Sequence, residues 1–191
     1  GLSIFHLLSE TLSVAPTLII TNPNFVKKVV FPLEILPAAA VGSAVVHFAI
    51  SLALLLVGVA TVGQGFASTI LWLPVVLVPY ILLAIGISWL LSGLGVFLRD
   101  IGQVVQALSL ILLFVSAIFY PASEMRTDVP AAWTILKYNP LLITVDVARD
   151  VTLWHQPADW NRIAYLYACG ITSFFTGYWV FRRLRSGFAD V

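Results

Sequence analysis

Residues 34–60 form an apolar run with one ionisable side chain, His47, well inside it. A helix of that length crosses a hydrocarbon layer of about 30 Å with some tilt. It also satisfies its own backbone hydrogen bonds, which lipid cannot do for it. Ala39 and Ser43, and likewise Ala40 and Ala44, repeat small residues at a spacing that lets a neighbouring helix come close. The whole chain agrees, with 60% hydrophobic and 10% charged residues. Soluble domains carry roughly 25% charged residues, so this chain has too little polar surface to cover a globule. The expected fold is an all-α integral membrane protein, a polytopic helix bundle. A formal charge of +1 gives no footprint for nucleic acid. The single cysteine, Cys169, excludes an internal disulfide and a cysteine metal cage.

Four further spans are expected, at about 1–20, 69–97, 103–119 and 161–181. The first carries Ser9, Glu10 and Ser13 and reads as the later portion of a span that begins upstream. The chain starts at Gly1 without the basic start and small-residue cleavage site of a signal peptide. Pro74 and Pro79 are expected to kink the 69–97 span, and Trp72 to anchor its end at the interface. Glu10 reads as packed against other helices. His47 admits two readings, a relay or substrate ligand, or a neutral histidine bonded to a neighbouring helix. With no second titratable group evident in the midplane, the sequence favours the second.

Between the first two spans lies a polar, basic elbow, residues 22–32, bracketed by Pro23 and Pro32. Each proline removes a backbone donor and biases its predecessor away from helix, so only a short helix fits between them. Lys27 and Lys28 here, Arg99 after the third span, and Arg182, Arg183 and Arg185 at the end of the last all fall on one side. Basic residues in short loops mark the cytosolic side. The opposite side holds 120–160, a segment too polar to span. Asp128 before Pro130 and Asn139 before Pro140 are helix-start signals. Two short amphipathic outer-face helices are expected there, the second with Leu141, Leu142, Val145 and Ala148 on one face and Asp146, Arg149 and Asp150 on the other. An ordinary amphipathic loop is the alternative.

No phosphate-cradling G-x-x-x-x-G-K-[ST] occurs, and neither H-E-x-x-H nor G-x-S-x-G is present. His6, His47 and His155 lie far apart in sequence, which makes a poor metal site. No paired carboxylates share a span, which argues against an intramembrane hydrolase or a proton antiporter. The remaining reading is a passage whose energy comes from elsewhere.

Asn22-Pro23-Asn24-Phe25-Val26-Lys27-Lys28-Val29-Val30-Phe31-Pro32, followed by Glu34-Ile35-Leu36-Pro37, resembles the membrane subunits of type-2 ABC exporters, in the branch that exports O-antigen, capsule and teichoic acid. Arg99-Asp100-Ile101 is similar to that family's second cytosolic turn. Phe119-Tyr120-Pro121 and Tyr138-Asn139-Pro140-Leu141 are similar to its extracytoplasmic gate region, and Gly187-Phe188-Ala189-Asp190 to its tail. The likeness covers nearly the whole chain in order, and the elbow is its most specific part.

The resemblance implies a single transmembrane permease domain over 1–191 with six spans behind an amino-terminal interfacial helix. That helix and the first span are missing from this sequence, and five spans are visible. It implies a homodimer in the bacterial inner membrane, carboxyl terminus in the cytosol, paired with a separate ABC ATPase subunit. That partner would carry ATP and magnesium, and this chain no cofactor and no catalysis. Asn22, Asn24, Phe25, Lys27, Lys28, Phe31 and Pro32 would dock into a groove on the ATPase, with Arg99 and Asp100 as a second contact. Lys27 and Lys28 serve equally well as topology signals or headgroup contacts. Phe119, Tyr120, Pro121, Glu124, Tyr138, Asn139 and Pro140 would form the outer gate over a channel for a lipid-linked polysaccharide. Rival readings are a permease of the same architecture for a drug or lipid, an ion-gradient-driven secondary transporter, and a membrane scaffold without a passage.

Overall fold

A computed structural model describes residues 1–26, 32–61, 68–98, 100–128, 130–154, 156–157 and 159–190. Among these, all regular structure is helical: α1 (Leu2–Val14), α2 (Pro23–Val26), α3 (Ile35–Thr61), α4 (Leu73–Phe97), α5 (Ile101–Val115), α6 (Ala122–Asp128), α7 (Pro130–Leu136), α8 (Pro140–Thr152) and α9 (Trp160–Leu184). Tighter turns at Ala15–Thr17, Ser68–Trp72 and Arg185–Asp190 extend or introduce them. The stretches Ile35–Thr61 and Thr69–Phe97 are long and apolar enough to cross a membrane, and Ile101–Val115 is apolar but shorter. The architecture is the polytopic helical bundle that the composition requires.

The bundle is built round α4. This helix is apolar on every side and is the more deeply buried of the two long apolar ones. Its few polar groups donate to neighbouring backbones: Tyr80 Oη to the Ile4 carbonyl at 2.9 Å, Ser88 Oγ to Pro37 at 3.2 Å, Trp89 Nε1 to Glu34 at 2.8 Å and Ser92 Oγ to Ala15 at 2.9 Å. These bonds set α1 parallel to α4 and α3 antiparallel to it.

The most intimate contact is between α4 and α9, which also run parallel. Gly170 faces the Pro79 carbonyl and Gly177 faces Gly86, while Phe97 meets Phe188 further along with ring centres 6.1 Å apart. Both rows step by seven residues, so one seam is maintained along the pair. A methyl group on Gly86 would strike the backbone of Ser173, and one on Gly177 would strike the Gly86 carbonyl. Backbones this close exclude any larger residue.

The connections at the α6–α8 end depart from the sequence reading in two ways. A helix precedes the two expected ones: α6 (Ala122–Asp128) comes before α7, which begins at Pro130. The second expected helix, α8, is more deeply buried than a helix with one apolar face would be. Leu141, Leu142, Ile143, Thr144, Val145, Val147, Ala148 and Val151 are all buried. Ile143 and Val147, which the sequence reading gave to neither face, pack against Val76 of α4 and Leu166 of α9. Wedged between these helices, α8 is covered nearly all round, which a one-sided apolar pattern does not convey.

Candidate functional site

At the elbow end, α1 passes through the Ala15–Thr17 turn and closes on Asn22, whose Nδ2 donates to the Leu18 carbonyl at 2.9 Å. Pro23 then opens α2, a position where its missing N–H costs nothing. The Phe25 N–H donates to Asn22 O at 3.1 Å, and Asn24 is exposed. On the return, Pro32 is exposed and its carbonyl accepts from Ile35 N at 3.1 Å. Lys27, Lys28 and Phe31 lie outside the described residues, as does Arg99. Asp100 is exposed, and its carbonyl accepts from Gln103 N and Val104 N as α5 begins.

Both arms of the elbow rest on the ends of α4 and α9. Ile19 from the incoming arm and Leu33 from the outgoing one share a buried cluster with Trp89, Val96, Phe181 and Phe188, with Phe25 packed against it. The Trp89 ring lies edge-on to Phe174 at 4.9 Å and against Tyr178 at 5.2 Å. Glu34, between elbow and α3, places its carboxylate 2.7 Å from Nη1 of Arg185, just past α9.

At the opposite end, α5 stops after 15 residues, about 22 Å of helix against a layer of about 30 Å. The turn that follows leaves carbonyls without helical partners of their own. Arg149 of α8 supplies partners: its Nη1 donates to Ala117 O at 2.8 Å and Tyr120 O at 3.0 Å, and its Nη2 to Ile118 O. Ala117 itself sits at φ 51°, a left-handed conformation rare for alanine. Asn139 ties the same turn to α8. Its Nδ2 donates to Ser116 Oγ at 2.9 Å while its Oδ1 caps α8 by accepting from Leu141 N at 3.0 Å. Tyr120 Oη donates back to Phe114 O at 2.6 Å.

Of the gate residues read from sequence, the structure gathers Tyr120 and Asn139 round this turn, with Pro121 leading into α6 and Pro140 opening α8. Tyr138 is held through its carbonyl, which accepts from Tyr165 Oη at 2.7 Å. Phe119 and Glu124 are exposed. Arg149 carries the arrangement, and the sequence reading placed it on the face of α8 opposite the apolar one, at a spacing that allows pairing with Asp146. Asp146 pairs instead with Arg162 of α9 at 2.7 Å, and Asp150 lies 3.8 Å from the same guanidinium. Burial lowers the Arg149 pKa, and Asp146 opposes the shift. Burial, then the neighbouring Asp146 charge, raises that of Asp150. A cleft of about 400 Å³ opens beside them, lined among others by Trp133, Trp154, Asp146, Asp150 and Arg162.

His47 is bonded to a neighbouring helix, as the sequence favours, but its partner is a second titratable group that the sequence reading did not place there. His47 Nδ1 lies 2.9 Å and 3.1 Å from the two carboxylate oxygens of Glu10. Glu10 lies 12 residues before Asn22 and His47 15 residues after Pro32, so the return of α3 beside α1 brings them to a similar level. With His6, Ser3 and Ser51 they line a cleft of about 240 Å³. Among the described residues no group of His, Cys, Asp or Glu is placed to hold a metal ion.

Residues 1–153 match the family model described as ABC-2 type transporter. The chain is 27% identical over 173 residues to an O-antigen export system permease protein RfbA of Klebsiella pneumoniae, covering 90% of this chain and 65% of that protein. It is 25% identical over 167 residues to an O-antigen export system permease protein RfbA of Myxococcus xanthus, covering 87% and 64%. The chain thus spans just under two thirds of the length of these curated relatives.

Proposed function

The chain belongs to the ABC-2 type transporter family, and on that premise we propose that it is the membrane-spanning subunit of an ATP-driven exporter of a lipid-linked surface polysaccharide. It is a multi-pass membrane protein, acting in the bacterial inner membrane with the elbow and the carboxyl terminus in the cytosol. The observation that carries the reading is the alignment of 90% of this chain with a permease named for O-antigen export. Basic residues in the short connections support the orientation.

In this reading the permease is a homodimer bound to two copies of a separate ABC ATPase, which holds ATP and magnesium and does the hydrolysis. The elbow docks on that partner, with Arg99 and Asp100 as a second contact. The seating of Ile19, Phe25 and Leu33 on the ends of α4 and α9 supports the elbow as the point where a push enters the bundle. The turn held by Arg149 and Asn139 supports a closed lid at the other end, over a channel for the polymer.

The test is deletion of the gene, with purification of the full-length permease from its own host. Loss of surface polysaccharide, internal build-up of its lipid-linked precursor and an ATP-hydrolysing protein in the purified complex are expected. Unchanged surface polysaccharide together with a complex that hydrolyses no nucleotide would overturn the reading.

A further inference from the structure

Glu34 and Arg185 lie far apart in the sequence and each sits at a helix end that suits its charge. Glu34 immediately precedes the first turn of α3, where the helix dipole favours an anion. Arg185 immediately follows the last turn of α9, where it favours a cation. The pair closes at 2.7 Å with the Glu34 side chain only 15% exposed. Its geometry is fixed from a third side, because Trp89 of α4 donates to the Glu34 backbone carbonyl at 2.8 Å. Glu34 is therefore held to α4 by its main chain and to the end of α9 by its side chain. Two residues before it, Pro32 ends the elbow.

The backbones of α4 and α9 touch at Gly86 and Gly177, packed closely enough for the pair to act as one body. The buried cluster alone would hold the elbow against that body by apolar contact, which is non-directional and lets surfaces slide. A charge-assisted hydrogen bond is directional. It resists the lateral slip that apolar packing permits.

We propose that Glu34 and Arg185 are positioning residues forming a rigid joint, through which a push on the elbow is delivered to the α4–α9 body instead of being dissipated at the cluster. This rests on the reading that an ATPase bears on the elbow, and it deepens it by naming where the load passes. The joint stays closed throughout the cycle, and neither residue touches cargo or nucleotide.

The test uses the full-length permease in complex with its ATPase, comparing wild type, E34R, R185E and the swapped pair E34R/R185E. Surface polysaccharide and ATP turnover are measured on the same preparations. Each single reversal places like charges together, and export per ATP hydrolysed is expected to fall about tenfold or more while turnover stays within about twofold. The swap restores an opposite-charge pair and should recover export to within about threefold of wild type, short of complete because both charges then oppose their helix dipoles. A joint that only stabilised the fold would lower the amount of complex and leave that ratio unmoved. If the reversals fail to assemble, E34Q decides, because it keeps the side chain's shape and an acceptor for Arg185; a loss of about threefold in export per ATP is expected. Single variants that couple like wild type, or a swap no better than either single, would overturn the joint. Export and turnover by the wild type report separately on the functional reading itself.

Discussion

Replacing Arg149 with methionine keeps an unbranched stem of similar reach and removes every donor. Arg149 satisfies three carbonyls, those of Ala117, Ile118 and Tyr120. A hydrogen bond to a charged group contributes about 1.5–3 kcal/mol, so a simple sum would exceed 4 kcal/mol. Two effects reduce it. The guanidinium is only partly buried, so water replaces some of what is lost, and Ala117 at φ 51° can relax, returning part of a strain of order 1–3 kcal/mol. The expected net loss is about 2–4 kcal/mol, a fall in Tm of about 5–15 °C for a chain of this size. R149K keeps the charge but offers a compact ammonium where the turn needs a planar fork, and should lose about half as much. Unfolding can be followed in detergent with a dye that fluoresces on reacting with thiols, because Cys169 is the only cysteine. R149M melting within about 1 °C of wild type would refute the role assigned to the arginine, and R149K melting like wild type would show that charge alone suffices.

Asp150 gives a pH dependence whose sign follows from its raised pKa. A carboxyl that folding makes harder to ionise adds stability below its unfolded pKa and loses it as pH rises through the folded value. Wild type should therefore gain stability from this group as pH falls from neutral towards the ordinary carboxylate range, and D150N should lack that gain and melt no lower than wild type at neutral pH; thermal unfolding across the range checks it. G177V should cost about 3 kcal/mol or prevent accumulation in the membrane, because it drives α9 off α4. G42A, on an open face of α3, should be neutral or stabilising by about 0.5–1 kcal/mol, and membrane abundance with thermal melting separates the two. H47L leaves Glu10 a lone carboxylate beside lipid and should destabilise more than E10Q, with the double variant close to E10Q. ATP-dependent export should survive in the double variant; its loss from an assembled complex would make the pair a relay.

What could be read from the chain was local or compositional. The length and apolarity of 34–60 sufficed for a spanning α3, and the Asp-x-Pro and Asn-Pro pairs marked the starts of α7 and α8, because caps and prolines act within one turn. What escaped was set by partners far along the chain. Asp146, Arg149 and Asp150 share a helix face, and i,i+3 spacing suggested that they neutralise one another. Arg149 instead answers carbonyls set free by the shortness of α5, and Asp146 answers Arg162. Arg185 was read as a topology signal alone, yet it also holds Glu34. The Glu10–His47 pair escaped because its offsets from the elbow, 12 residues before Asn22 and 15 after Pro32, place the two at a similar level only once α3 is known to return beside α1. The elbow and the second turn gained less from the structure, because Lys27, Lys28, Phe31 and Arg99 are outside the described residues.

Parallel neighbours in a bundle cannot be made in succession, because the chain must recross before the second can be laid beside the first. Here α9 is synthesised well after α4, so while the ribosome is still decoding α5 to α8 the flank of α4 holding Pro79 and Gly86 has no mate. Until α9 leaves the translocon, that notched flank must be shielded by lipid or by an insertion factor. Ribosomes stalled before Trp160 would leave nascent chains open to quality-control proteolysis, whereas chains that have released Leu184 would escape it.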